Sequence, residues 1–286
     1  MLSQKGITLM PNRFEAAELT AEQAWYLAEE LEAGTYPWKL AITPGYYELA
    51  DRDDFNQRCR AELVTQRVID DHGQIHPGLA AAIRTLCRSH QWLEWLTIID
   101  EQQIMRGVLA RGPKVPDTVV ALRNAQMVTI TPMDVAYTEA IVPIITVGLP
   151  DQPPAQFDEF SLPMDSGKSI DSLVAGGADM VEMLTRLGVA ESDAEIMELA
   201  RTGDRITVEL TAHEAVNGAR HNTDVSVNIF NTAVGRILVS PPADEPRAGG
   251  ESVFAPGDPF SIAVAVRDLT ARLPHGPWFP DDHFAD

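Results

Sequence analysis

Few stretches of this 286-residue chain combine residue types that could do chemistry. "DSGKS", Asp165 to Ser169, ends as a phosphate-cradling loop does. The earlier glycine of that loop would fall at position 162, which is Leu162, and no strand is expected before it, so a phosphate site is not expected. His72 and His76 stand four apart beside Asp70 and Asp71, the spacing that presents two imidazoles to a metal from one helix face. Gly73 and Pro77 make the segment a solvated turn instead. His213 and His221 flank a hairpin and could meet across it, but a zinc site needs further ligands that the local sequence lacks, and exposed strand positions are expected. Arg106 and Arg123, on neighbouring strands, could hold an anion; in so acidic a chain they are expected to pair with carboxylates. Cys59 and Cys87 lie on apolar helix stripes and read as buried thiols rather than a bridge or a reactive pair. The acidic pairs Asp53-Asp54 and Asp281-Asp282 fall at a helix start and in the tail. No nucleophile elbow, dinucleotide fingerprint or His-Glu-x-x-His occurs. No catalytic residue, metal or cofactor is therefore expected.

The remaining acidic candidates occur as a pair. "TPMDVAYTEAIVPIITVGLP" (Thr131 to Pro150) returns as "APGDPFSIAVAVRDLTARLP" (Ala255 to Pro274), with Asp258 − Asp134, Pro256 − Pro132 and Pro274 − Pro150 all equal to 124. Each copy closes a similar series of elements. Thr20 and Gln23 have capping-box spacing ahead of a helix ended by Gly34, and helices are expected over about 50–69 and 79–89. Four β-rich runs follow between Trp92 and Thr131 and predict an antiparallel meander. Residues 151–168, rich in proline, read as a linker. Helices are then expected over 170–187 and 192–200, the second opened by a capping box at Ser192 and Glu195. Asn217-Gly218 marks a hairpin in which Ile206, Val208 and Leu210 alternate against Val225, Val227 and Ile229, and "GRILVS" and "ESVFA" supply two more strands. Two helices, a meander and a closing helix thus occur twice, so Asp134 and Asp258 are expected to start helices rather than to act as acid and base. The halves span 19–150 and 169–274 of one domain, 1–286, with a tail over 275–286.

Charge narrows the function classes. With 22 Lys and Arg against 42 Asp and Glu, the net charge is −20, a field that repels phosphate backbones and anionic lipid. Nucleic acid is not an expected partner. The longest apolar run, about ten residues from Ala140 to Leu149, is half of what a spanning helix needs, so membrane insertion is not expected. The first residues show no signal-peptide core, which predicts a cytoplasmic protein.

Several long passages resemble the EspG family of ESX type VII secretion-associated chaperones: "LTAEQAWYLAEELEAGTYPWKLAITP", "VVALRNAQMVTITPMD", "QFDEFSLP", "GRILVSP" and "FAPGDPFSIAVAVRDLTARLPHGPWFP". The likeness spans nearly the whole chain and is nearest to the EspG of the third ESX system. It implies an α+β fold, a central, mostly antiparallel sheet with helical bundles in two quasi-two-fold halves. It also implies a non-enzymatic chaperone that binds the apolar tip of PPE in a PE–PPE heterodimer, keeps it soluble and targets it for export, and it leaves room for a weak homodimer. The partner would lie against the sheet and the C-terminal helical bundle. The tip between the second and third strands, "RGPKVPD", would contribute Lys114 and Asp117. Alternation places Thr207, Glu209, Thr211, Ser226 and Asn228 on the non-core sheet face, where they would contact the partner. Val181, Leu184 and Leu187 could line a groove, though burial in their own bundle is the plainer reading. The alternative class is a hydrolase or small-ligand-binding protein using converging His and carboxylate groups.

Overall fold

The computed structural model describes residues 14–112, 117–242 and 250–280. The chain starts with β1 (Ala17–Thr20), α1 (Ala21–Glu30), α2 (Arg52–Thr65) and α3 (Pro77–Cys87). The meander follows as β2 (Gln91–Ile98), β3 (Ile104–Arg111), β4 (Asp117–Asn124) and β5 (Met127–Asp134), closed by a 3₁₀ turn and the short α4 (Val142–Ile145). The second series runs β6 (Phe160–Pro163), α5 (Met164–Ala175), α6 (Met180–Arg186), α7 (Glu191–Thr202) and β7 (Ile206–Val216). It ends with β8 (Ala219–Asn222), β9 (Val227–Thr232), β10 (Gly235–Ser240), β11 (Glu251–Pro256) and α8 (Pro259–Ala271).

All strands join one antiparallel sheet in the order β1-β5-β4-β3-β2-β7-β9-β10-β11-β6, with β8 hung on β7. Read outward from the centre, one side runs β2-β3-β4-β5-β1 and the other β7-β9-β10-β11-β6. The two halves therefore have the same topology about the antiparallel pair β2–β7, whose register runs from Gln91↔Glu214 to Ile98↔Thr207. The fold is α+β with a mostly antiparallel central sheet, as expected.

Helices cover both faces. On one, α1, α2 and α3 bury Leu27, Leu63 and Ile83 against Val108, Ala121 and Ile130, and α5–α7 bury Leu184 and Met197 over Leu162 and Ile237. On the other, Ile262, Val266 and Leu269 of α8 are fully buried over Leu93, Trp95, Val208 and Ile229. Each such aliphatic side chain contributes roughly 1.5–3 kcal/mol when removed from water.

Local chemistry explains where the sequence reading held and where it did not. Thr20 Oγ1 accepts from Gln23 N at 3.1 Å while Gln23 Oε1 accepts from Thr20 N at 3.0 Å, the expected reciprocal box. Asp258 caps α8, its carboxylate accepting from Phe260 N and Ser261 N. Asp134 does not cap; it ends β5 opposite Asp117, and the following 3₁₀ turn begins only at Thr138. The helix expected over 170–187 is broken at Gly176-Gly177, where Gly177 takes φ +94, giving α5 and α6. Nor does Ser192 cap α7, because the helix starts one residue earlier, at Glu191 after Ala190, leaving Ser192 inside its first turn. The segment read as a linker contains β6 and the first turns of α5, so a strand does precede "DSGKS"; that motif lies within the helix, with no glycine loop between.

Candidate functional site

The helices on the first face leave a gap at its middle. Across it, β7 presents Thr207, Glu209 and Thr211 and β9 presents Asn228, with Ser226 just before β9, and all five are half-buried. Alternation sets their direction, since Val208, Leu210, Val227 and Ile229 between them point into the opposite core. Register aligns Glu209 with Leu96 on one side and Asn228 on the other, and Asn228 Nδ2 donates to Ser226 Oγ at 3.1 Å. The structure thus brings these five expected contact residues together as one polar strip. Asp117 opens β4 two strands from β2, and Lys114 lies outside the described residues.

Beside the strip the surface becomes apolar. A cavity of about 230 Å³ opens between α5–α7 and the sheet, lined by Phe160, Ile170, Leu184, Met197, Phe230 and Phe254. Phe230 sits opposite Thr207, so strip and cavity are continuous. Leu184 is in the bundle and 2 % exposed, Val181 is half-buried, and Leu187 is exposed at 46 %. Polar strip and greasy cavity together suit a partner with an apolar end and polar flanks.

At the other end of the strip lies a buried polar cluster that the sequence reading missed. Glu94, 4 % exposed, accepts from Trp92 Nε1 at 2.7 Å and from Arg220 at 2.6 Å. The Arg220 guanidinium lies 4.7 Å over Trp92, whose other neighbour is the stacked His213 ring at 5.2 Å. These contacts tie the β7–β8 hairpin to β2, and the hairpin turns through Asn217 and Gly218, both with positive φ. His213 pairs with Asn222 and His221 with Glu214, so the two imidazoles point to opposite faces and do not meet.

Thr211 Oγ1, His213 Nε2 and Glu94 Oε2 resemble a nucleophile–base–acid series only in composition. The same nitrogen meets both partners, at 3.0 Å and 3.6 Å, while Nδ1 is buried with no partner among the described residues. A working triad needs the acid on the nitrogen that the nucleophile does not use. The cluster therefore has the geometry of a structural anchor.

Burial, then the positive charges of Arg220 and Lys39, hold the His213 imidazole below its ordinary value against the pull of Glu94. The unfolded chain then binds the proton more readily than the folded one. Stability is fully present above the unfolded value of about 6.5 and is lost as pH falls from there toward the lower folded value. Denaturant titrations at pH 7.5 and 5.5 should show a larger drop for the parent than for His213→Phe, which keeps the stack on Trp92. The difference is bounded by one proton, about 1.4 kcal/mol per pH unit, and equal drops would remove His213 from the account.

The other candidates resolve as structure. Arg106 and Arg123 face each other across β3–β4, and instead of meeting carboxylates both donate to backbone carbonyls of the Trp38–Leu40 turn and its exit: Arg106 to Lys39 O at 3.3 Å, Arg123 to Leu40 O at 3.0 Å. Lys39 to Ala41 run in a tight turn whose carbonyls point at these strands, which supplies acceptors that no charge count reveals. His72 is an exposed turn residue and His76 caps α3 through Gly78 N. Cys59 and Cys87 are free, their thiols pushed up by burial to about 11 and about 12, and such thiols are poor nucleophiles. Among the described residues no helix is long and apolar enough to cross a membrane.

Comparison with known proteins shows the family. The EspG family model matches residues 20–268. The chain is 44% identical over 268 residues to the ESX-3 secretion-associated protein EspG3 of Mycolicibacterium smegmatis, covering 93% of this chain and 90% of that protein. It is 41% identical over 280 residues to EspG3 of Mycobacterium tuberculosis, covering 93% and 94%. Its fold is similar to the solved structure of the M. tuberculosis type VII secretion system chaperone EspG5 in complex with a PE25–PPE41 dimer, with a TM-score of 0.77 at 18% identity over 92% of this chain and 99% of that one. With a matching model over most of its length and two relatives above 40% identity, the chain belongs to the EspG family.

Proposed function

We propose that the protein is a cytoplasmic, non-enzymatic chaperone of type VII secretion. It binds the apolar tip of PPE in a PE–PPE heterodimer, keeps the pair soluble and directs it to export. Family membership supports this reading, as does the partner of the similarly folded EspG5. The observation in this molecule that carries it is the half-buried strip of Thr207, Glu209, Thr211, Ser226 and Asn228 running into the apolar cavity under α5–α7. An apolar helical tip left in water associates with itself, and covering roughly 800 Å² on each partner is enough for a specific complex. Export requires release, so affinity in the micromolar to nanomolar range, about −8 to −12 kcal/mol, fits the task better than an irreversible clamp.

Co-expression with the PE–PPE pairs of the same genome tests the reading. At least one pair should co-elute with the chain as a ternary complex of fixed ratio. Self-association of every pair, unchanged by the chain, would remove it.

A further inference from the structure

Outside the strip, a second cluster of ligating side chains gathers on the opposite face of the sheet. His90, just before β2, Glu214 of β7 and His275, beyond α8, come from three distant parts of the chain. Their candidate ligand atoms all lie within 4.8 Å of one another. Glu214 Oε1 is 2.6 Å from His275 Nδ1 and 3.8 Å from His90 Nε2, and the two rings stand 5.5 Å apart. The Glu214 side chain is wholly buried and held by two donors, Gln91 Nε2 at 3.0 Å and His275 N at 3.1 Å. The two imidazoles are about half exposed, 48% for His90 and 57% for His275, so an ion has a path to the site and room for water.

We propose that His90, Glu214 and His275 form a Zn²⁺ site. Two imidazole nitrogens and one carboxylate oxygen, with a position left for water, make a donor set that zinc favours and that the all-oxygen preferences of Mg²⁺ and Ca²⁺ disfavour. Ligand bonds of about 2.0–2.2 Å in a tetrahedron put donor atoms roughly 3.3–3.6 Å apart, so the 2.6 Å contact must open and the 3.8 Å one must close slightly. Half-exposed imidazoles can make such moves, whereas the buried carboxylate supplies the fixed point. Its Gln91 and backbone donors are the outer partners that orient a ligating oxygen. The ion takes the place of the Glu214–His275 hydrogen bond, so binding leaves no orphaned group.

Zinc here would fasten the end of the chain to the centre of the sheet. Just beyond His275, Trp278 O accepts from Arg111 NH1 at 2.7 Å, and that guanidinium lies over the Trp278 and Phe279 rings at 5.2 Å and 5.0 Å. A bond from His275 through zinc to Glu214 and His90 joins this segment to both central strands. The site stands on its own geometry, and its test does not depend on partner binding.

The experiment uses the full chain without a polyhistidine tag, stripped with chelator and titrated with ZnCl₂ by calorimetry. Co²⁺ serves as a visible-absorption reporter of four-coordinate geometry. One equivalent of Zn²⁺ should bind, Tm should rise by roughly 5 °C at a hundredfold excess over Kd, and Mg²⁺ should do neither. His90→Ala and His275→Ala, at exposed positions that do not threaten folding, should each weaken Zn²⁺ at least tenfold, and Glu214→Gln should do the same. His72→Ala/His76→Ala should bind as the parent does. Less than one equivalent bound, parental affinity in both His90→Ala and His275→Ala, or loss of binding in the His72/His76 variant would overturn the site.

Discussion

Gly107→Ala should destabilise the protein by about 1–3 kcal/mol, and Trp95→Ala by about 3–5 kcal/mol, yet the two costs should not add. Trp95 is wholly buried at the middle of β2, opposite Gly107 of β3 and Leu210 of β7. Its indole lies flat across the glycine, so a Cβ built at Gly107 would stand 2.0 Å from Trp95 Cε2 and 2.2 Å from Cζ2. Real atoms do not approach so closely; either the ring leaves its rotamer or the strands part. The ring has little freedom to yield, with Leu93, Val208 and α8 in the same core cluster. Removing the indole instead opens a cavity in a core packed at crystal-like density. Once Trp95 is alanine, however, the added methyl at Gly107 meets open space, so the double variant should be more stable than the sum of the single costs by 1–3 kcal/mol. Urea denaturation of the four proteins measures this coupling directly. A Gly107→Ala cost below about 0.5 kcal/mol, or strict additivity, would mean that this contact does not hold β2 beside β3.

That pair shows how much of the fold could be read from sequence. Alternation in "WLEWLTI" fixes which residues share a face, and it correctly makes β2 part of a meander. The 124-residue spacing that matched the two Pro-x-Asp stretches has a counterpart in the sheet, where β5 begins at Met127 and its topological equivalent β11 at Glu251. What escaped notice was symmetric too. Both outermost strands, β1 and β6, have four residues, too few to establish a period, and they exist because long partners β5 and β11 offer them free edges. The gap between helical groups depends on strand order, which no local pattern encodes.

The site was legible to the same degree. Thr207, Glu209 and Asn228 could be assigned to one face from strand alternation, although the Asn-Gly turn sets only the β7–β8 register: Asn228 pairs with Glu209, two residues from where that turn alone would put it, a shift that keeps the face. Glu94 could not be assigned, although a signal existed: it shares its face with Trp92 and Leu96, an odd place for a carboxylate. Its partner Arg220 is 126 residues away, and only the β2–β7 pairing reveals that the charge is buried and satisfied. Glu214 was hidden for the same reason, since its neighbours His90 and His275 arrive from other elements.

If the strip is where PPE docks, Glu209→Trp and Asn228→Trp should each weaken the ternary complex by 10- to 100-fold, about 1.4–2.7 kcal/mol, with little change in Tm. Both side chains are half-buried and point away from the α8 core, so an indole there displaces the partner rather than the sheet's own packing. Register makes the pair informative, because Glu209 and Asn228 lie opposite each other on adjacent strands and an obstruction on either fills the same space. The cavity gives an independent arm. Leu184→Gln places a polar group in its wall and should cost both stability and binding, since Leu184 belongs to the α5–α7 core as well. Separating the two effects requires Kd and Tm on the same samples, with Gln66→Trp, at the exposed end of α2 and outside the strip, as the bulky control. Loss of binding in the strip variants at parental Tm, with the control unchanged, identifies a docking surface. Parental Kd in both strip variants would show that the gap between the helical groups is an ordinary wet face, and that the chaperone grips its partner elsewhere.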